Sequence, residues 1–143
     1  MIINTEYYER CTKTLENALA KIKTEEFNTI DYEMYRSACV KEFEIILEQS
    51  GKLLRKILKP YFSSPVQVDR LNFKDLFRHA ALRGLMSDEA CERWLKYRDS
   101  RNNTAHDYGV ELAEEALEFF PQFVFDALDF VQIIKSQNDA DQG

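Results

Sequence analysis

The segment RNNTAHDY, from Arg101 to Tyr108, holds the side chains of this sequence best suited to chemistry. Histidine exchanges protons near neutral pH because its ordinary pKa is about 6.5, and arginine stays charged and can grip two phosphate oxygens at once. Arg101 and His106 together therefore suit phosphodiester chemistry. Metal-free RNA cleavage needs a base for the ribose 2′-hydroxyl, an acid for the departing oxygen and positive charge for a phosphorane-like transition state. His106 supplies one proton-transfer group. The other histidine, His79, sits beside Arg78 on a short polar helix, where a solvated surface role is expected. A two-fold dimer that brings two His106 side chains together would supply the missing group.

Trp94, Arg98 and Arg101 follow one another at steps of four and three, which sets an aromatic ring and two guanidinium groups along one edge of a helix, an edge that suits a phosphate. Arg101 and His106 are five residues apart, about 140° around an unbroken helix, so they converge only if the backbone departs from regular helix between them. Asn102, Asn103 and Thr104 are poor helix formers whose side chains compete for nearby backbone groups, which permits such a departure. The alternative is structural: Arg, Asn and His near a helix end can satisfy carbonyls and cap a turn.

The elements that must position this segment are helical. Apolar positions Tyr8, Cys11, Leu15, Ala18, Leu19 and Ile22 line one face of a first helix, Thr5 to about Lys23. Asp31 is a candidate cap for a second helix with Tyr35, Cys39, Phe43, Ile46 and Leu47 on one stripe. That helix is expected to run through Gly51, at a cost of about 1 kcal/mol relative to alanine, and to stop before Pro60. PYFSSPVQVDRLN reads as the principal loop. Asn72 with Asp75 resembles a capping pair for a short helix closing at Gly84, and Ser87 starts the helix that carries Trp94 to Arg101. A last long helix contains Pro121, expected to kink it, and is apolar on most of its circumference from Phe119 onward, either as a subunit interface or as the central helix of its own bundle. The tail SQNDADQG is polar and expected to fray. The expected architecture is all-α: an up-and-down four-helix bundle with an additional short helix, one domain over residues 1–136 and a polar tail over 137–143.

Composition agrees with that economy. Gly and Pro number 4 and 3 among 143 residues, too few for the many tight turns of an all-β fold. Cys11, Cys39 and Cys91 are widely spaced, without a CxxC pair or His-rich tract, so they are expected to be reduced, and no metal site or cofactor is expected. No uncharged stretch reaches the roughly 18 residues needed to span a bilayer, and the N-terminus lacks the pattern of a signal peptide, which suggests a cytoplasmic protein. A formal net charge of −6 argues against a general nucleic-acid coat protein. Residues 51–101 nevertheless carry twelve Lys and Arg against six Asp and Glu, while the remainder carries seven against nineteen. Either the middle of the chain presents a basic face, or acidic and basic helices simply neighbour one another. A nucleotidyltransferase centre is not evident: no glycine-serine turn is followed by paired aspartates, and there is no Gly-rich phosphate loop.

The run WLKYRDSRNNTAHDYG, on the penultimate long helix of an all-helical chain of this length, resembles the HEPN family, and within it the nucleotidyltransferase substrate-binding proteins. The family pattern of Arg, four residues, His, one residue, Tyr is met by Arg101, His106 and Tyr108, with Asn102 as the polar residue after the arginine. The resemblance spans the chain in length and helix order, with motif-grade similarity from about Trp94 to Tyr108. It implies a bundle that dimerises with two motifs facing across a cleft, and a separately encoded partner, a nucleotidyltransferase of the MNT type. It further implies one of two roles. As a binding subunit, the bundle supplies a nucleotide or substrate surface to that partner. As a toxin, it is a metal-independent ribonuclease using Arg101 and His106, silenced when the partner attaches AMP to Tyr108. An adenylated Tyr108 would set a phosphate and a bulky base two residues from His106 and compete for Arg101.

Overall fold

A computed structural model of the chain describes residues 2–104 and 110–142. Among these described residues six α-helices follow in order: α1 (Glu6–Ile22), α2 (Ile30–Leu58), α3 (Pro65–Asp69), α4 (Phe73–Leu82), α5 (Asp88–Thr104) and α6 (Val110–Gln142), with a 3-10 turn, Lys59–Tyr61, after α2. α1, α2, α5 and α6 form the bundle, and α4 packs between α2 and α5. No described helix is long and apolar enough to cross a membrane.

Local signals account for most boundaries. The Asn72 side chain accepts from the Asp75 amide at 2.8 Å, and Ser87 Oγ accepts from the Ala90 amide at 3.1 Å. After α4 the Leu85 amide returns to the Ala80 carbonyl (2.9 Å) and the Gly84 amide to Ala81 (3.0 Å), a closure that needs the left-handed φ of 75° that Gly84 adopts. α2 runs unbroken through Gly51 and stops before Pro60. Three expectations need correction. The cap of α2 is Thr29, whose hydroxyl accepts from the Tyr32 amide at 3.2 Å, while Asp31 lies in the first turn, where its charge meets the positive end of the helix. The loop after Pro60 contains α3, begun by Pro65 and closed where Arg55 donates to the carbonyls of Val68 (2.6 Å) and Leu71 (3.0 Å). The polar tail continues α6 through Gln142, and the Asn138 side chain pairs with both the amide and the carbonyl of Ile3, each at 2.9 Å.

The core is an aromatic stack. Phe43 lies at ring distances of 5.5, 5.1 and 4.7 Å from Phe119, Phe120 and Phe123 of α6. Trp94 stacks on Phe77 at 4.9 Å and meets Tyr97, Phe123 and Phe130 edge-on or tilted. α6 is therefore the central helix of its own bundle: Phe120, Phe123, Phe130, Val131 and Ile134 are all buried, and of the apolar surplus only Phe125 (62% exposed) and Leu128 (43%) stand well out. The interface reading of that surplus is corrected to this extent, because the core of one chain absorbs most of it. Pro121 lies inside a continuous α6.

Burial also sets an alkaline limit on the fold. Cys11, Cys39 and Cys91 are free, buried thiols. Burial pushes Cys39 up to about 12 from an ordinary 9.0. Tyr32 rises to about 12 from 10.0 through burial and then the Glu114 carboxylate, and burial raises Tyr8 and Tyr97 as well. The folded state holds these protons more tightly than the unfolded chain. Their stabilising contribution is complete below the ordinary values and is lost as pH climbs through the folded ones. Thermal melts should therefore fall steadily between pH 9 and 12, and a melting temperature that stays level over that window would contradict these shifts.

Candidate functional site

α5 carries Arg101, the first residue of the RNNTAHDY segment, and α6 begins at Val110; each helix is fastened to the bundle by a carboxylate of α6. The α6 carboxylate Glu114 receives the Tyr32 hydroxyl (2.7 and 2.9 Å) and Arg36 Nη1 (2.9 Å), which ties the first turns of α6 to α2. Lower in the bundle, Asp126 of α6 accepts from Arg93 Nε and Nη2, both at 2.8 Å, and from the Tyr97 hydroxyl at 2.5 Å. Asp126 is only 2% exposed. Its carboxylate is charge-matched by one guanidinium and bonded by one phenol, so each oxygen of the buried anion accepts at least one hydrogen bond. The hydrogen bonds to Asp126 raise the pKa of Arg93, and burial, followed by Asp126, raises that of Tyr97.

The edge expected to carry Trp94, Arg98 and Arg101 divides. Trp94 faces inward, 2% exposed and enclosed by rings from α4, α5 and α6, so it is corrected from ligand contact to core. A step of four residues turns a helix by about 40°, enough to take Arg98 from the core to its rim. Arg98 and Arg101 line a hollow of about 330 Å3 between α2, α4 and α5. Its floor is Leu47, Gly51, Phe73 and Leu76; its walls carry Lys52 and Arg55 of α2 beside the two arginines of α5, with Glu48 as the acidic member. Part of the basic stretch thus does converge on one face. A second hollow, about 470 Å3 and lined by Arg36, Lys41, Glu44 and Val110 among others, lies at the start of α6, so the facing ends of α5 and α6 each border one.

His106 and Tyr108 lie outside the described residues, and for Asn102 only its place on α5 is described. His79 is corrected from a solvated position: its ring meets Phe62 edge-on at 5.1 Å, and Nδ1 is buried without a hydrogen-bond partner. Lys52 and Arg55 were missed as site residues. Their spacing of three on the rim of α2's apolar stripe, inside the basic stretch, is the signal that could have found them. Asp126 gave less warning, being one acid among the apolar residues of α6. Among the described residues no cluster of three or more His, Cys, Asp or Glu could hold a metal ion.

Comparison with known proteins fits this geometry. Over 105 residues, 73% of this chain and 70% of the relative, the sequence is 27% identical to a Haemophilus influenzae protein named Probable ribonuclease HepT. The fold matches that of HI0074, also from Haemophilus influenzae, described as the fold of a substrate binding domain of a nucleotidyltransferase. The TM-score is 0.76 at 22% identity, covering 94% of this chain and 98% of that one. Residues 3–135, nearly the whole bundle, match the family described as "Nucleotidyltransferase substrate binding protein like", and the chain belongs to that family.

Proposed function

We propose that this chain is the helical subunit of a two-component nucleotidyltransferase system. As a homodimer it binds a separately encoded enzyme of the MNT type and offers that enzyme's nucleotide or substrate a binding surface. The observation that carries the reading is the position of Arg101: the arginine of the motif lines a hollow with Lys52, Arg55 and Arg98, a concentration of positive charge in a chain whose net charge is −6. Membership of the substrate-binding family supports the same reading. Co-expressed with its nucleotidyltransferase, the chain should elute with it as one complex by size exclusion at micromolar concentration. Separate elution of the two would overturn the proposal.

A second reading has its own support, since Arg101 borders the hollow from within RNNTAHDY and one relative is named a probable ribonuclease. Here Arg101 stabilises charge on the scissile phosphate, and His106 of each protomer transfers a proton. Adenylation of Tyr108 by the partner then silences the site. RNA cleavage should persist in EDTA and fall by about 100-fold or more in His106→Ala. Cleavage unchanged in that variant would sink this reading.

A further inference from the structure

Besides Arg101, three cations line the first hollow, and they are engaged differently. Arg55 is committed to the carbonyls of Val68 and Leu71, where it closes α3. Lys52 has a loose pairing with Glu48 at 3.5 Å, both side chains being about three-fifths exposed (61% and 62%) and therefore weakly coupled. Arg98 sets its guanidinium over the Phe73 ring, 5.6 Å from the centroid, and among the described residues no carboxylate or carbonyl accepts from it. A guanidinium that rests its face on an aromatic ring keeps its N–H edge for donation, an arrangement suited to two oxygens of one phosphate.

Phe73 is itself seated with care. A Cβ at Gly51 would stand 3.1 Å from Phe73 Cδ2 and press the ring back by a few tenths of an ångström, so the glycine gives the ring its close approach to α2. Phe77 supports it from within α4 at 4.7 Å. The chain Gly51, Phe73, Arg98 thus fixes a cation of α5 opposite Lys52 of α2, above an apolar floor.

We propose that this hollow is a phosphate subsite for a nucleotide unit, gripped by Lys52 from one wall and Arg98 from the other, with Phe73 and Gly51 as positioning residues for Arg98. The inference rests on the substrate-binding reading above and adds binding residues on α2 and α5 and positioning residues on α2 and α4 to the arginine of the motif. A volume of about 330 Å3 lies at the small end of ligand sites, room for a phosphate and part of its nucleoside. The nucleotide arrives either free or as a unit of an RNA strand, and the phosphate chemistry is common to both.

The test uses the full chain with two probes, ATP and a 2′-O-methyl pentaribonucleotide that resists cleavage, titrated by calorimetry at one fixed salt concentration. At least one probe should bind. Arg98→Gln and Lys52→Gln should each weaken it about ten-fold or more, the size expected for one charge-assisted hydrogen bond. Lys13→Gln, on the exposed side of α1, should change it by less than about two-fold. Phe73→Leu should weaken binding about three-fold or more and Phe73→Tyr should restore it, because only the aromatic ring seats the guanidinium. Tighter binding of ATP assigns the subsite to a free nucleotide, and tighter binding of the pentanucleotide to a strand; both support it. Binding of neither probe, or Arg98→Gln and Lys52→Gln behaving like Lys13→Gln, overturns the subsite. Failure to co-elute with the nucleotidyltransferase would instead strike the functional reading, with Arg98-dependent binding intact.

Discussion

Trp94→Ala should destabilise the fold by about 4 kcal/mol, within the range of roughly 3–5 for truncating a buried tryptophan. The ring stacks on Phe77 and is met by Tyr97, Phe123 and Phe130, so its loss opens a cavity where α4, α5 and α6 meet. No single neighbour can swing in to fill it, because the surrounding rings pack against one another. For a chain of this size the melting temperature should drop by about 10 °C or more. The milder Trp94→Phe retains an aromatic core and should leave nucleotide binding unchanged. If Trp94→Phe melted normally yet lost binding, the tryptophan would have to touch the ligand, and its assignment to the core would be wrong.

Asp126→Ala should cost about 3 kcal/mol, the lower end of the range for breaking a buried ion pair. The lower end applies because the Arg93 side chain is 36% exposed and can hydrate once its partner is gone, whereas that of Asp126 is 1% exposed. The Tyr97 hydroxyl has no such escape: it is buried and donates to Asp126. Asp126→Asn keeps the shape but not the charge and should fall between the two. In Asp126→Ala the Tyr97 phenol should move back toward its ordinary range while staying raised, since burial is the larger cause. A melting temperature within about 3 °C of the parent would mean that the network contributes little.

How much of this molecule its sequence foretold depended on how local the signal was. Asn72, Gly84, Ser87 and Pro60 each act on the backbone within a few residues, and each marks the boundary expected of it. Thr29 and Asp31 are both competent caps two residues apart, and the choice fell to the hydroxyl that reaches the Tyr32 amide. α3 spans five residues, too few for any periodicity to register. The site divided along the same line. Arg98 and Arg101 were recognisable because they share a helix with the motif. Lys52, Arg55 and Phe73 come to them through the packing of α2 and α4, which a spacing rule along one helix cannot express. Trp94 misled for the converse reason: a step of four puts two residues on one edge without saying which of them the core will claim.

The pairing of Asn138 with Ile3 joins the two ends of the described chain at the foot of α6, while Val110 stands at its head. At about 1.5 Å per residue these points are roughly 42 Å apart. A fluorophore or fused protein carried at either terminus would therefore project from the pole opposite the start of α6. Labelled or tethered forms of this molecule should keep the second hollow, beside Val110, open to whatever it binds, and any fusion meant to reach it would need a linker on the order of the bundle's own length.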